Sequence, residues 1–486
     1  MEGLSVAMRS ACELGIFQGI QIPNGGPKIS HLLHADDALF IGEWSRNNIS
    51  NLARILHCFH VSSGLKVNFN KSKVFGVGSD MQEVARWAST LGCEPSALPF
   101  TYLGVPVGAN MNLKKNWEPI IERFRSKLSK WKSKSLSFGG RLTLTQSVLG
   151  NLPTYFLSLF LAPDGIIQTL EKLRRRFLWG ASVDKKKIHW VSWDRVVAPK
   201  EMGGLWIGTI KSLNISLLMK WWWKLRTEPH HLWAQVISSL HNLKVKPDGI
   251  YSKKSLTRVW NNIAGIKKAL GKKEIPIESV LSKQHTTNGE TWRCCLSSTG
   301  TYEVRDLRHR WDYTTSVMDG QISWLKEVPL KVYCFIWRAK MGRIPVAVEL
   351  AKRGVVPENL TCPMCNEYEE DSNHVLVDCS YARSVCEGVS RWCNIQLGPL
   401  HTVKDVLGSI SQWGVCKKRR RIILAIYYGT LWSLWKTRNE MVFKKNRLPP
   451  DKVTDIIKSV VYLWVKNRGN NDKLNWASWS HCPWLF

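Results

Sequence analysis

The sequence predicts an α+β fold, with a small strand-containing N-terminal part and a mostly α-helical remainder. Three observations lead there. The stretch HLLHADDALF (31–40) brackets two aspartates with apolar residues, as a β-hairpin does. Apolar residues then recur at helical spacing through long basic segments. Further on, Cys362, Cys365, His374 and Cys379 form a compact C-x2-C-x8-H-x4-C pattern inside another periodic region.

A chain of 486 residues is too long for one ordinary core, so two to four domains are expected. Hydrophobic residues at 44%, charged residues at 22% and a mean hydropathy of -0.19 belong to a packed protein rather than a disordered or membrane one. The longest apolar run, IILAIYYGTLWSLW (422–435), falls short of the roughly 20 residues a bilayer span needs. No secretory signal opens the sequence, and its thirteen cysteines have no regular framework, so reduced thiols and an intracellular setting are expected.

Taken in order, Met1 to Ile22 reads as a helix and turn, and 31–41 as a hairpin whose turn is Asp36 and Asp37. After Ser45, the spacing of Ile49, Leu52, Leu56 and Phe59 predicts a helix that Gly64 ends, and alternating Leu65, Val67 and Phe69 predict a strand. From 113 to 131, Trp117, Ile120, Ile121, Phe124, Leu128 and Trp131 share one helical face. Lys114, Lys115, Arg123, Arg125, Lys127 and Lys130 fill the rest, and the glycines of FGG (138–140) close the helix. A second helix starts at Asp164 as cap, buries Ile167, Leu170, Leu173 and Phe177, and turns Arg174, Arg175 and Arg176 partly outward. In MKWWWKLR (219–226) three consecutive rings cannot share one helical face, so at least one meets another domain or a ligand. The lysine-rich stretch 244–300 reads as a linker, 301–400 as a new globular unit, and 401–486 as a basic segment with a helix over 422–443.

Charge is unevenly distributed. Residues 1–100 hold eight basic and eight acidic side chains, whereas 101–300 hold 33 Lys and Arg against 12 Asp and Glu. Such a polycation, interleaved with aromatics, points to a polyanion partner, because phosphates exchange their counterions for Lys and Arg. KKRRR (417–421) reads equally as a nuclear address, a phosphate contact or a charged helix start. Most of the 25 tryptophans are expected in cores, since they recur at helical spacings with Leu and Ile.

The Cys3His pattern suits a tetrahedral Zn²⁺ with no open position, hence a structural metal. Cys386 and Cys393 continue at seven-residue steps after Cys379, which reads more simply as one buried helix face and leaves them as fallback ligands. The adjacent aspartates are a weak signal alone, since neighbouring strand residues point to opposite faces and an Asx turn accounts for them.

Longer stretches change that reading. HLLHADDALF resembles the Asp-Asp hairpin of non-LTR retrotransposon reverse transcriptases, especially the plant type, with His34 where the family has Phe or Tyr. GLKVNFNKSK is similar to the motif that follows it, and FTYLGVPVG (100–108) to the primer-grip turn. WKSKSLSFGGRLTLTQSVLGNLPTYF, FLWG, HWVSWDRVVAPKEMGGLW and LLMKWWWKL resemble the family's basic thumb and connector. WRAKMGRIPVAVELAKRGV and LWSLWKTRNEMVF resemble the zinc-binding domain that follows the polymerase.

The resemblance implies a palm remnant over 1–100, a thumb and connector over 101–243, and a zinc-binding domain over 301–400. It also implies two-Mg²⁺ nucleotidyl transfer with Asp36 and Asp37 as ligands and Lys71 near an incoming deoxynucleoside triphosphate. The family's other palm aspartate comes about a hundred residues earlier, and no Asp precedes Asp36 here, so the Mg²⁺ site is expected to be incomplete. The resulting expectation is a truncated remnant that binds RNA and DNA without polymerising, with no membrane partner and no ribonuclease H carboxylate cluster. An active polymerase completed by an upstream exon or a second chain is the alternative, and a decayed frame without a role is a further one.

Overall fold

Ser45 accepts a hydrogen bond from the Asn48 amide and so starts the helix Arg46–Ser63, which Gly64 ends at a φ of 73°. This helix packs on Glu2–Glu13 through Leu4, Met8, Ala11, Leu52 and Leu56. Asn48, expected on no core face, is buried because its side chain bonds the Gln18 amide and the Gln18 and Glu43 carbonyls. The structure, a computed structural model, describes residues 2–130, 136–181, 187–243, 258–286, 289–314, 322–396, 398–413, 416–469 and 474–484.

Two compact units divide the chain and alternate along it: Met1–Arg123, Leu152–Leu170 and Thr209–Thr314 in the first, Phe124–Asn151, Glu171–Gly208 and Thr315–Phe486 in the second. An α+β chain results, dominated by helices. Every sheet among the described residues has two strands.

In the first unit, His31–His34 pairs antiparallel with Asp37–Phe40. Because His34 faces Asp37 in that register, the turn consists of Ala35 and Asp36, one residue earlier than the Asp36–Asp37 turn expected, and Ala35 takes the positive φ of 51°. The strand expected over 65–69 also differs. Asn68 caps a 3-10 turn at Phe69–Lys71, so pairing begins only at Lys73–Phe75, parallel to Glu94–Ser96. Val67 and Phe69 still pack against the nearby core. Phe100–Tyr102 and Val105–Val107 form the later hairpin.

The rest of this unit surrounds the helix Ile210–Thr227, buried on most of its circumference. Its three tryptophans find partners on different sides, as their angular spread demands. The Trp221 indole donates to the Ser158 carbonyl at 2.7 Å, Trp222 donates to Ile263 at 2.6 Å, and Trp223 packs partly buried on the same cluster. No ligand is needed to explain them. Residues 258–296, read as part of a linker, hold Trp260, Ile263, Leu270, Val280 and Cys294 in this core. Lys267, Lys268, Lys272 and Lys283 are exposed between such anchors, which hides the packing in composition; residues 244–257 lie outside the described set.

Leu330–Lys340, Ser380–Cys393, Val403–Gln412, Lys417–Lys444 and Pro450–Gly469 build the second unit around one large core. The 28-residue Lys417–Lys444 helix is buried nearly all round from Ile422 to Arg438. FGG does not close a helix here: Ser137 accepts from the Gly140 amide and opens Phe138–Leu144. A Cβ on Gly139 would sit 3.0 Å from the Lys331 amide nitrogen, so the small residue permits that backbone approach. The preceding basic helix is described as far as Lys130, and Trp131 lies outside the described residues. Among the described residues no helix is long and apolar enough to cross a membrane.

Candidate metal centre

The four predicted zinc ligands come together. Cys362 and Cys365 sit on a tight loop closed by a bridge between Thr361 and Glu369, by the Cys362 amide donating to Tyr368 O at 2.7 Å, and by Asn366 donating to Cys362 O at 2.8 Å. Asn366 takes a φ of 60° to make the turn. Asp371 then accepts from the amides of Asn373 and His374 at 2.7 and 2.8 Å and starts the π-helical turn His374–Asp378. That turn delivers Cys379 to the N-cap of Ser380–Cys393.

All four ligand atoms lie within 4.8 Å of one another. Cys365 Sγ is 3.2 Å from His374 Nε2, and Cys362 Sγ is 3.9 Å from Cys379 Sγ. Tetrahedral bonds of about 2.3 Å to sulfur and 2.0–2.1 Å to nitrogen would place neighbouring donors about 3.4–3.8 Å apart, so three thiols and one imidazole fit Zn²⁺. Cys362, His374 and Cys379 are buried and Cys365 is half-buried.

Electrostatics prepares the thiols unequally. Cys362 donates to Cys379, and that bond pulls the Cys379 thiol down, with the amides of Ala382 and Tyr381 at the helix start assisting against burial. The same bond, together with burial, pushes Cys362 up. Of the pair, Cys379 is the thiol that loses its proton more readily, and the thiolate is the form that binds metal. Burial pushes Cys386 up to about 12 and also raises Cys393; both pack with the helix core and neither belongs to the ligand group.

One supporting residue escaped sequence reasoning. Glu370, in the acidic run NEYEED, is 1% exposed. Its carboxylate accepts from Arg438 Nη2 at 2.6 Å, from Arg438 Nε, and from the Ala347 amide at 2.7 Å. The ligand loop is thereby clamped to the Lys417–Lys444 helix. No local pattern announces the pair, because its members lie 68 residues apart.

A family profile described as zinc-binding in reverse transcriptase matches residues 297–385. Residues 297–385 are a reverse-transcriptase zinc-binding domain. The resemblance read from the sequence therefore holds for the C-terminal part, and the Cys3His set lies inside this domain. Over 444 residues the chain is 25% identical to an Arabidopsis thaliana protein named "Putative ribonuclease H protein", covering 74% of this chain and 69% of the relative. It is 30% identical over 89 residues to an "Uncharacterized mitochondrial protein" of the same plant, covering 18% of this chain and 58% of that protein.

The remaining predicted site residues lie outside the zinc-binding domain. Asp36, Asp37 and Lys71 are exposed. Among the described residues no third ligand joins the two aspartates in a group able to hold a metal. Asp37 does act on the later hairpin: burial chiefly, then the Asp37 charge, raises the Tyr102 phenol. Lys114 and Lys115, on a 3-10 turn, and Arg123, Arg125 and Lys127, on the helix Glu118–Lys130, are exposed around buried Trp117, Ile120, Ile121 and Phe124, and Lys130 is the last described residue of that helix.

Arg174 corrects an expectation. It is fully buried, donating to Glu171 at 2.9 Å and to the Gly208 and Ile207 carbonyls, with its guanidinium over the Trp193 ring. It holds the fold rather than offering a phosphate contact. Arg175 and Arg176 are half-buried.

Proposed function

We propose that this chain is a nucleic-acid-binding part of a plant-type non-LTR retrotransposon reverse transcriptase, with zinc as the structural metal of its C-terminal domain. The observation that carries this reading is the exposure of Lys114 and Lys115 on a 3-10 turn and of Arg123, Arg125 and Lys127 on the following helix, around a buried apolar stripe within the most cationic stretch of the sequence. The zinc-binding domain and the relatives support it. The partners would be RNA, DNA or their hybrid, with Lys71, Arg175 and Arg176 as further contacts. On this reading 1–100 corresponds to palm, 101–243 to thumb and connector, and 301–400 to the zinc-binding domain.

We also propose that Asp36 and Asp37 do not by themselves support Mg²⁺-dependent polymerisation. Two exposed adjacent carboxylates on one hairpin repel each other and give a divalent ion no opposing acid. Binding of the whole chain to an RNA·DNA duplex, titrated with salt, tests the first proposal: affinity should fall steeply between low and moderate salt, and a flat response refutes it. Primer extension with Mg²⁺ tests the second; incorporation that vanishes on Asp36→Ala would overturn it.

A further inference from the structure

A pocket of about 330 Å³ opens in the second unit where the start of the Lys417–Lys444 helix meets the Lys326–Glu327 segment and the end of Pro450–Gly469. Its lining includes Lys326, Lys417, Lys418 and Arg421 against a single carboxylate, Glu327, with apolar Ile422, Ala425 and Val465. Glu327 is engaged by Arg421 Nη2, so the lining stays net positive.

The helix start makes this charge costly. A helix N-terminus bears partial positive charge and favours acidic residues or a capping oxygen. Here the first turn has no acid, the Cys416 N-cap makes no side-chain cap hydrogen bond, and five cations follow in succession from Lys417 to Arg421. Repulsion among them, and between them and the helix dipole, is relieved by an anion in the pocket, which Lys326 and Lys417 would bind.

We propose that this pocket seats a phosphate group of a nucleic-acid strand. The proposal rests on the nucleic-acid reading above and assigns it a second contact, separate from the basic helix Glu118–Lys130. Phosphate chemistry alone does not distinguish an internal phosphodiester from a terminal or free phosphate, and the competitors below do.

The test uses the whole chain and a labelled single-stranded oligonucleotide followed by fluorescence anisotropy over a salt series. Lys326→Gln combined with Lys417→Gln, both exposed positions, should weaken binding about 10-fold and flatten the salt slope by about 0.7, the contribution of one phosphate contact in a single strand. Cys416→Asp supplies a capping carboxylate that competes with the phosphate; it should raise the thermal midpoint while weakening binding, so its effect cannot come from misfolding. Inorganic phosphate and a 5′-mononucleotide that compete with wild type but not with the lysine variant would identify a terminal or free phosphate. Failure to compete, with the variants still weakened, would identify an internal one. Wild-type binding matched by both variants in affinity and slope overturns the pocket and leaves the parent reading standing. Absence of salt-dependent binding in wild type refutes both.

Discussion

The Asp36–Asp37 hairpin and the Cys3His cluster are both candidate metal sites, but they are built differently. The hairpin is a four-residue pair of strands with exposed carboxylates, in a unit whose described sheets never exceed two strands. The cluster draws all its donors from 18 consecutive residues, folds them over a large helical core, and fixes the loop with a buried Glu370–Arg438 pair. A site whose ligands are local in sequence is complete wherever its segment folds. One assembled from distant strands depends on the rest of its sheet.

Stripping the metal should break this contrast open most dramatically. Chelation, or Cys362→Ser, is expected to destabilise the second unit by on the order of 5 kcal/mol or more, because binding free energy at a structural site is folding free energy. Metal analysis should first find one zinc per chain. Hydrogen exchange should then rise around 360–393 and stay unchanged over 2–63; loosening of both regions alike would erase the distinction.

Arg438→Met should come next. Removing one partner leaves the Glu370 carboxylate buried and unpaired, at a cost of about 3–5 kcal/mol, read as a shift of the denaturation midpoint. Zinc affinity should fall with it, measured by chelator competition. A variant with the wild-type midpoint would mean that the pair does not position the loop.

A smaller effect belongs to the N-terminal unit. His31 accepts or donates through both ring nitrogens, to Ser5 at 3.0 Å and Ser30 at 2.9 Å, and burial, then Arg9, lowers its pKa below 6.5. Below that value the unfolded chain binds the proton more readily than the folded one, so the stabilisation present above about pH 6.5 is lost as pH falls. The protection factor over 31–40, corrected for slower intrinsic exchange at lower pH, should therefore fall between pH 7 and 5.5, and His31→Gln should flatten that response.

The smallest expected change is at the aspartates themselves. Asp36→Asn with Asp37→Asn should move stability by no more than about 0.5 kcal/mol, as exposed substitutions do. A larger loss in a thermal melt would show that the carboxylates hold structure after all.

These contrasts follow what sequence could reveal. The zinc ligands were legible because spacing within one short segment nearly dictates their meeting, and the 46–63 helix because Ser45 and Gly64 mark its ends. The hairpin was legible as an element but not in register, since a one-residue shift depends on backbone pairing and on Ala35 accepting a positive φ. Arg174 was misread because its destination is set by carbonyls at Ile207 and Gly208, more than thirty residues on. Glu370 carries no local signal for the same reason: its partner is remote. FGG was read as a stop because glycines end helices, whereas Ser137 made it a start.

The Lys417–Lys444 helix joins two of these features into one rigid rod. Arg421 lines the basic pocket, Arg438 grips the metal loop, and seventeen residues at 1.5 Å apiece set them about 26 Å apart along the axis. Any tilt of so stiff a lever at the metal loop would carry to the cations that line the pocket, where no ligand atom reaches.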